Sequence, residues 1–320
     1  MVTGSLPEWA EGRLEQDFDL RHFDDTEGVR LASLQGDDIV AVISRGALPI
    51  DADLIERLPC LQAIAKTGVG MDAIDVEAAS RRNIPVLYTP AAQSRSVAEH
   101  ALAMMLTLLK RLSFWQSELR EGNWNRRYHD FSRDLTGHRV GIVGYGRIGR
   151  QLARLLSPFD CQVGVCDPYL DPSRFRQDGV HFLDLDELLE CSEILSLHVP
   201  LNDETRGMMG ASQLDLLPEG AILINTARGA VIESLDVVEA ALCDGRLWGV
   251  GVDVFSVEPP DVEHGLFRHP QAVLTGHVAA RSGATQTRIV ETILKELLAI
   301  LSGGRPRVAN VVNPEVLLRC

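Results

Sequence analysis

The 320-residue chain is longer than one hydrophobic core ordinarily fills and accommodates two domains. Its 45% hydrophobic and 24% charged residues strike the balance of a soluble globular protein. A formal net charge of −14 argues against nucleic acid and anionic membrane surfaces as partners, because both demand a basic face. No stretch approaches the apolar length of a membrane span, and no basic-then-apolar leader opens the chain. Cys60, Cys161, Cys166, Cys191, Cys243 and Cys320 form no CxxC pair and no metal-like spacing with histidine. The expectation is a cytoplasmic protein with reduced core thiols and no metal.

Short apolar runs at Ile39–Ile43, Leu61–Ala65 and Pro85–Tyr88 predict buried strands. Amphipathic Ala52–Leu58 and Val76–Arg82 lie between them, and this alternation argues for a parallel sheet. From Ser96 the pattern changes. Val97–Leu112 predicts one long apolar helix whose Met104-Met105 pair belongs to the core. Arg120–Gly137 is polar, and its run Arg126-Arg127-Tyr128-His129 reads as a solvated loop. A second series follows, with strands expected at Arg139–Val143, Gln162–Cys166, Ile194–His198, Ala221–Asn225, Gly249–Val254 and Ala272–Thr275. Six strands with helices between them are the inventory of a dinucleotide-binding sheet. Thr285–Leu301 predicts a final helix stopped by Gly303-Gly304.

Gly144-Tyr145-Gly146-Arg147-Ile148-Gly149 is the strongest local signal. It follows the strand ending at Val143 and opens an apolar helix, so the backbone can approach a pyrophosphate where helix N–H groups are free. Asp167 stands at the end of the next strand, where a carboxylate accepts hydrogen bonds from the adenosine ribose hydroxyls and repels a 2′-phosphate. NAD is therefore the expected cofactor, ahead of NADP.

Seven blocks in order extend this reading: 66–75 (Lys-Thr-Gly-Val-Gly-Met-Asp-Ala-Ile-Asp), 96–101 (Ser-Val-Ala-Glu-His-Ala), the glycine motif, 198–205 (His-Val-Pro-Leu-Asn-Asp-Glu-Thr), 225–229 (Asn-Thr-Ala-Arg-Gly), 253–260 (Asp-Val-Phe-Ser-Val-Glu-Pro-Pro) and 275–279 (Thr-Gly-His-Val-Ala). Across about residues 38 to 313 the chain resembles the D-isomer specific 2-hydroxyacid dehydrogenases, close to their 3-phosphoglycerate dehydrogenase branch.

The resemblance implies an NAD-dependent oxidoreductase acting on the CH–OH group of 2-hydroxy acids, with Arg228, Glu258 and His277 as the catalytic group. The chemistry asks for the same types. A 2-keto acid needs a planar cation on its carboxylate, a proton donor for the developing alkoxide, and a carboxylate that orients that donor. The resemblance also gives Val69 and Gly70 to the substrate carboxylate and Asp253 to the nicotinamide carboxamide. The full cofactor set is Gly144, Gly146, Arg147, Ile148, Gly149, Asp167, Val199, Pro200, Thr205, Thr226, Ala227, Asp253, His277 and Ala279. His100 and His198 fall in family blocks and receive no proton-transfer role. Gly276 stands where the family usually has proline, which loosens the backbone expected before His277, and Tyr88 and Arg281 also depart from the pattern. Arg45 and Arg281 are candidates for a second anion on the substrate. Candidate substrates are 3-phosphoglycerate, hydroxypyruvate and glyoxylate.

The expected architecture is two doubly wound parallel-sheet α/β domains with a cleft between. A Rossmann-type cofactor domain covers 96–285, and a discontinuous flavodoxin-like substrate domain covers 1–95 plus 286–320. By analogy the helix from Val97 is the element of a homodimer. A formate-type reaction is disfavoured by Glu258, and the alternative from another class is an NAD-sensing, corepressor-like binding protein.

Overall fold

A computed structural model describes residues 1–23, 37–45, 48–175 and 179–318. Two compact units emerge, Met1–Gln93 with Ser282–Cys320, and Ser94–Arg281. The strand predicted at Ile39–Ile43 forms at Ala41–Ser44, beginning two residues later than expected and ending one residue later.

Among the described residues the first unit has five strands: β1 (Val2–Thr3), β2 (His22–Phe23), β3 (Ala41–Ser44), β4 (Ala63–Lys66) and β5 (Val86–Leu87). All pair in parallel, in the order β2-β1-β3-β4-β5. Both faces are covered, which is why these strands read as continuous apolar runs rather than alternating ones. Val42, Ile64 and Val86 face a core shared with Leu54 and Ile55, while Ile43, Ala65 and Leu87 face one shared with Val290, Ile293 and Leu297 of the helix Gly283–Leu301. Asp51 and Asp75 start the helices Ala52–Glu56 and Val76–Arg81 by accepting from Leu54 N (2.9 Å) and Ala78 N (2.8 Å).

Among the described residues the second unit carries seven strands: β6 (Arg139–Val143), β7 (Gln162–Cys166), β8 (His181–Phe182), β9 (Ile194–Leu197), β10 (Ala221–Asn225), β11 (Leu247–Val252) and β12 (Ala272–Leu274). They form one parallel sheet in the order β12-β11-β10-β9-β6-β7-β8. The seventh strand, β8, was not expected from the sequence. It adds an edge of two residues, paired Gly164↔His181 and Val165↔Phe182. Chain order reverses at β6, which has β7 on one side and β9 on the other, so a crevice opens beyond the carboxyl ends of β6 and β9.

The predicted helix Val97–Leu112 is two helices. Ser94–Leu109 ends at Arg111, which turns left-handed (φ 52°), and Leu112–Arg120 follows. Met104 and Met105 are buried as expected, with Leu108 and Leu109 in the same core as Val140 and Ile142. The polar stretch after it contains a short 3₁₀ turn at Trp124–Tyr128 with no buried residue.

The five described cysteines are free, but they are not core thiols: Cys60 and Cys243 are exposed and the other three half-buried. Cys60 sits in the turn after Pro59, and Cys243 ends a surface helix. Cys320 lies outside the described residues. No described helix is long and apolar enough to cross a membrane.

Candidate active site

Each parallel strand of the second unit delivers its following loop to the same sheet edge, and the residues singled out by sequence sit in those loops. After β6, Gly144 adopts φ 92°, and a Cβ there would lie 2.7 Å from the His198 carbonyl oxygen of the loop after β9. A Cβ on Gly149 would lie 2.3 Å from the Gly144 oxygen. Only glycine permits both approaches. Gly146 differs: nothing lies within 4 Å of its absent Cβ, and it precedes the helix Arg147–Leu156 without a side-chain cap. That combination leaves open space over uncapped helix N–H groups, a cradle for an anion.

Asp167, after β7, accepts from Tyr145 N (2.9 Å) on one oxygen and from Tyr169 N (3.2 Å) on the other. Each oxygen keeps a lone pair for a further donor. Arg147 is exposed and Ile148 packs on the core. In the loop after β9, Val199 and Pro200 lead to Thr205, whose hydroxyl donates to the Pro200 carbonyl (2.6 Å) and so ties the loop closed.

After β10, Asn225 clamps the next turn, accepting from Ala227 N (3.0 Å) and donating to the Arg228 carbonyl (2.9 Å). The Thr226 hydroxyl is buried with no partner among the described residues. The Arg228 guanidinium is half-buried and donates to the Ala227 carbonyl (2.7 Å). Gly229 then presses on the loop after β11, where an added Cβ would fall 1.9 Å from the Phe255 carbonyl carbon. This close approach brings the arginine loop against the loop bearing Glu258.

His277 Nδ1 lies 2.8 and 3.1 Å from the two Glu258 oxygens, and Phe255 N donates to Glu258 (3.1 Å). With Nδ1 committed to the carboxylate, Nε2 is the nitrogen left for chemistry. His277 is left-handed (φ 55°), a conformation worth about 1–2 kcal/mol of strain for a residue bearing Cβ. Asp253 holds it there. Its carbonyl accepts from His277 N (2.6 Å), and its fully buried carboxylate accepts from Val278 N (2.9 Å), Ala279 N (3.0 Å) and the Thr275 hydroxyl (2.5 Å). The looseness expected from Gly276 is thus met by a clasp of hydrogen bonds. Sequence reading gave Asp253 only a cofactor role, because the clasp joins residues 22 to 26 positions apart.

In the first unit, Ser44 pairs with Lys66, so Arg45 and the Thr67–Gly70 loop leave one edge of that sheet together. Val69 and Gly70 are half-buried there. The Arg45 guanidinium donates to the Ser5 carbonyl and to Gln286 Oε1 (3.3 Å), both neutral acceptors. Arg281, exposed in the second unit, has its backbone N–H on the Val278 carbonyl (2.8 Å).

Residues 102–279 match the profile of the D-isomer specific 2-hydroxyacid dehydrogenase NAD-binding domain. The chain belongs to that family. It is 34% identical to a glyoxylate reductase of Korarchaeum cryptofilum, covering 99% of this chain and 96% of that one. It is 33% identical to a D-3-phosphoglycerate dehydrogenase of Archaeoglobus fulgidus, over 85% of this chain but only 51% of that protein. The chain thus spans nearly the whole of the reductase and about half of the phosphoglycerate dehydrogenase. Among solved structures, a glyoxylate reductase from Paecilomyes thermophila superimposes with a TM-score of 0.86 at 30% identity, covering 98% of both chains. A D-lactate dehydrogenase from Aquifex aeolicus, complexed with NAD and lactic acid, gives 0.85 at 27%, again over 98% of both. As a member, the chain is an NAD-dependent oxidoreductase of 2-hydroxy acids. The open cradle at Gly146 and the orphaned Thr226 hydroxyl fit a dinucleotide that places its phosphates on one and a polar edge on the other.

Proposed function

We propose that His277 is the acid–base group of this 2-hydroxyacid dehydrogenase, Glu258 its orienting carboxylate and Arg228 the cation that takes the substrate carboxylate. The observation that carries this is the two-oxygen contact of Glu258 with His277 Nδ1, at 2.8 and 3.1 Å. NAD, when bound, supplies or accepts the hydride at C2 of the substrate. In reduction His277 gives its proton to the carbonyl oxygen as the alcohol forms, and in oxidation it removes that proton. Glu258 stabilises the imidazolium between these steps and fixes the tautomer. Arg228 pairs with the 2-keto acid carboxylate, while N–H groups around Val69 and Gly70 offer it further donors. The cofactor is NAD rather than NADP on the strength of Asp167, and Val199, Pro200, Thr205, Thr226, Ala227, Asp253 and Ala279 complete its site.

The substrate is glyoxylate, hydroxypyruvate or an anion-bearing relative such as 3-phosphoglycerate, in keeping with the names of the similar proteins. Arg45 and Arg281 are proposed to read a second anion. The protein is proposed to be a cytoplasmic homodimer; an exposed apolar arm supports the dimer. The deciding experiment is turnover of NADH with a panel of neutral-tailed and anionic-tailed 2-keto acids in wild type, Arg45→Ala, Arg281→Ala and His277→Ala. The expected outcome is loss of roughly two to four orders of magnitude in His277→Ala, and loss of roughly ten- to a hundredfold on anionic tails alone in the two arginine variants. Near-full activity of His277→Ala overturns the acid–base assignment; equal kcat/KM for both tails in wild type and both arginine variants overturns the second-anion reading.

A further inference from the structure

His100 lies on the helix Ser94–Leu109, far in sequence from the residues that carry the chemistry. Its Nε2 is 3.0 Å from the Thr275 hydroxyl oxygen and 3.7 Å from Asp253 Oδ1. The single hydroxyl hydrogen of Thr275 is committed to Asp253 Oδ1, at 2.5 Å. The Thr275 oxygen is therefore an acceptor toward the imidazole, and His100 must carry its hydrogen on Nε2. The hydrogen bonds run in one direction, from His100 Nε2–H to the Thr275 hydroxyl and from that hydroxyl to the Asp253 carboxylate. One turn earlier on the same helix face, Ser96 Oγ donates to the Ala279 carbonyl (2.8 Å). The helix thus grips both ends of the 275–279 loop.

At the far end of this chain of bonds, Asp253 takes the backbone N–H groups of His277, Val278 and Ala279. His277 is left-handed, and Gly276 before it has open space around its absent Cβ, so neither a side chain nor a proline ring at that position holds the turn. The angle at which Asp253 offers its oxygens therefore sets where the His277 ring stands relative to Glu258. The angle of Asp253 is in turn set by the Thr275 hydroxyl that His100 orients.

We propose that His100 is a positioning residue for the dehydrogenase reaction: through the Thr275 hydroxyl and the Asp253 carboxylate it fixes the backbone of His277. The proposal rests on the reading of His277 as the acid–base group. His100 moves no proton in the reaction. A donor at its Nε2 position is what the network needs, and both the neutral Nε2–H imidazole and the imidazolium supply one.

The test compares His100→Leu, His100→Gln, Thr275→Val and the double variant His100→Leu/Thr275→Val, with His277→Ala alongside. Each is assayed for kcat and KM on glyoxylate and NADH, with thermal melting as a check on folding. Misplacement of a reacting group by about 1 Å costs on the order of a hundredfold in rate. We expect His100→Leu and Thr275→Val each to lose roughly ten- to a hundredfold in kcat with both KM values within about threefold. The double variant should lose no more than the worse single one, because both break the same chain of bonds. Glutamine carries an N–H donor at similar reach and cannot relay protons, so His100→Gln should recover kcat to within about threefold of wild type. Full kcat in His100→Leu overturns the proposal, as does glutamine as poor as leucine, or multiplicative losses in the double variant. If His100→Leu does not fold, Thr275→Val and His100→Gln decide. A fully active His277→Ala overturns the underlying reading and this proposal together, whereas an inactive His277→Ala beside a fully active His100→Leu overturns the positioning role alone.

Discussion

Two single side chains at the sheet edge carry consequences that can be measured. Asp167 places a carboxylate after β7, beside the turn of the glycine motif, with Tyr145 N and Tyr169 N as donors. A 2′-phosphate on the adenosine ribose would meet a like charge there, and a free 2′-hydroxyl would find an acceptor. Asp167→Ala should raise KM for NADH roughly tenfold while narrowing the preference over NADPH. Equal kcat/KM for the two cofactors in the wild-type enzyme would remove the argument. His198 shows the opposite kind of histidine from His277. Its Nε2 is 2.9 Å from the Ser196 hydroxyl, while Nδ1 is sealed from solvent without a partner among the described residues. Burial pushes its pKa down from 6.5 to about 4. Above pH 6.5 the ring is neutral in both folded and unfolded chains, and its contribution is intact. As the pH falls, the unfolded chain takes the proton first, so stability drains away between about pH 6.5 and about pH 4 and changes no further below. The loss should amount to roughly 3 kcal/mol. Denaturant melts of wild type and His198→Gln across that window measure it, and parallel pH curves for the two proteins would refute the assignment.

At the scale of elements, the site depends on one loop lying against another. Gly229 lets the turn after β10 touch the Phe255–Ser256 backbone after β11, and an alanine Cβ would sit 1.9 Å from the Phe255 carbonyl carbon. Backbone on both sides cannot yield as a flexible side chain does. Gly229→Ala should therefore displace Arg228 from Glu258 and His277 and lower kcat roughly a hundredfold or more. Gly146→Ala, with open space at its Cβ, should melt at the wild-type temperature and weaken NADH binding instead. Comparison of the two variants by stopped-flow turnover and NADH titration distinguishes a displaced loop from a filled cradle. The same elements explain what was legible in the sequence. Strands β6, β7 and β10 stand where their apolar runs put them, because burial on both faces writes an unbroken signal. Strands β1, β2 and β8 escaped, since two residues outside an unbroken apolar run carry no signal, whereas the two-residue β5 lies within the run Pro85–Tyr88. The break at Arg111 escaped as well, because Lys110-Arg111 offers neither glycine nor proline to mark a left-handed turn. The glycine motif and the positions of Arg228, Glu258 and His277 were readable as motifs. The clasp on Asp253 and its link to His100 were not, because they are made by contacts across the fold.

At the scale of the whole molecule, the remaining question is how many chains assemble, and the apolar surface speaks to it. The helix Ser94–Leu109, expected from the sequence to form a dimer contact, buries Met104, Met105, Leu108 and Leu109 in its own unit's core. The exposed apolar residues follow it: Leu112, Leu119, Trp124, Tyr128 and Phe131 stand 55–78% exposed on the helix Leu112–Arg120 and the arm after it. Isolated exposed apolar residues are ordinary, but five within twenty positions concentrate apolar surface on one segment. The arm is also locally basic in a chain of net charge −14, with Arg127 over the Trp124 and Tyr128 rings at 4.3 and 4.7 Å and Arg111 over Phe114 at 3.9 Å. Two acidic chains repel at long range, so a contact between them favours the segment where cations cover aromatic faces. The proposed homodimer would place a second copy of this chain against that segment. Sedimentation at micromolar concentration should return twice the 35.1 kDa chain mass for wild type. Leu119→Glu combined with Phe131→Glu should return a single chain, since both residues lie outside the core and a charge at either opposes association. A wild type that sediments as one chain at every concentration, or a double variant that stays paired, would rule out the arm as the dimer contact.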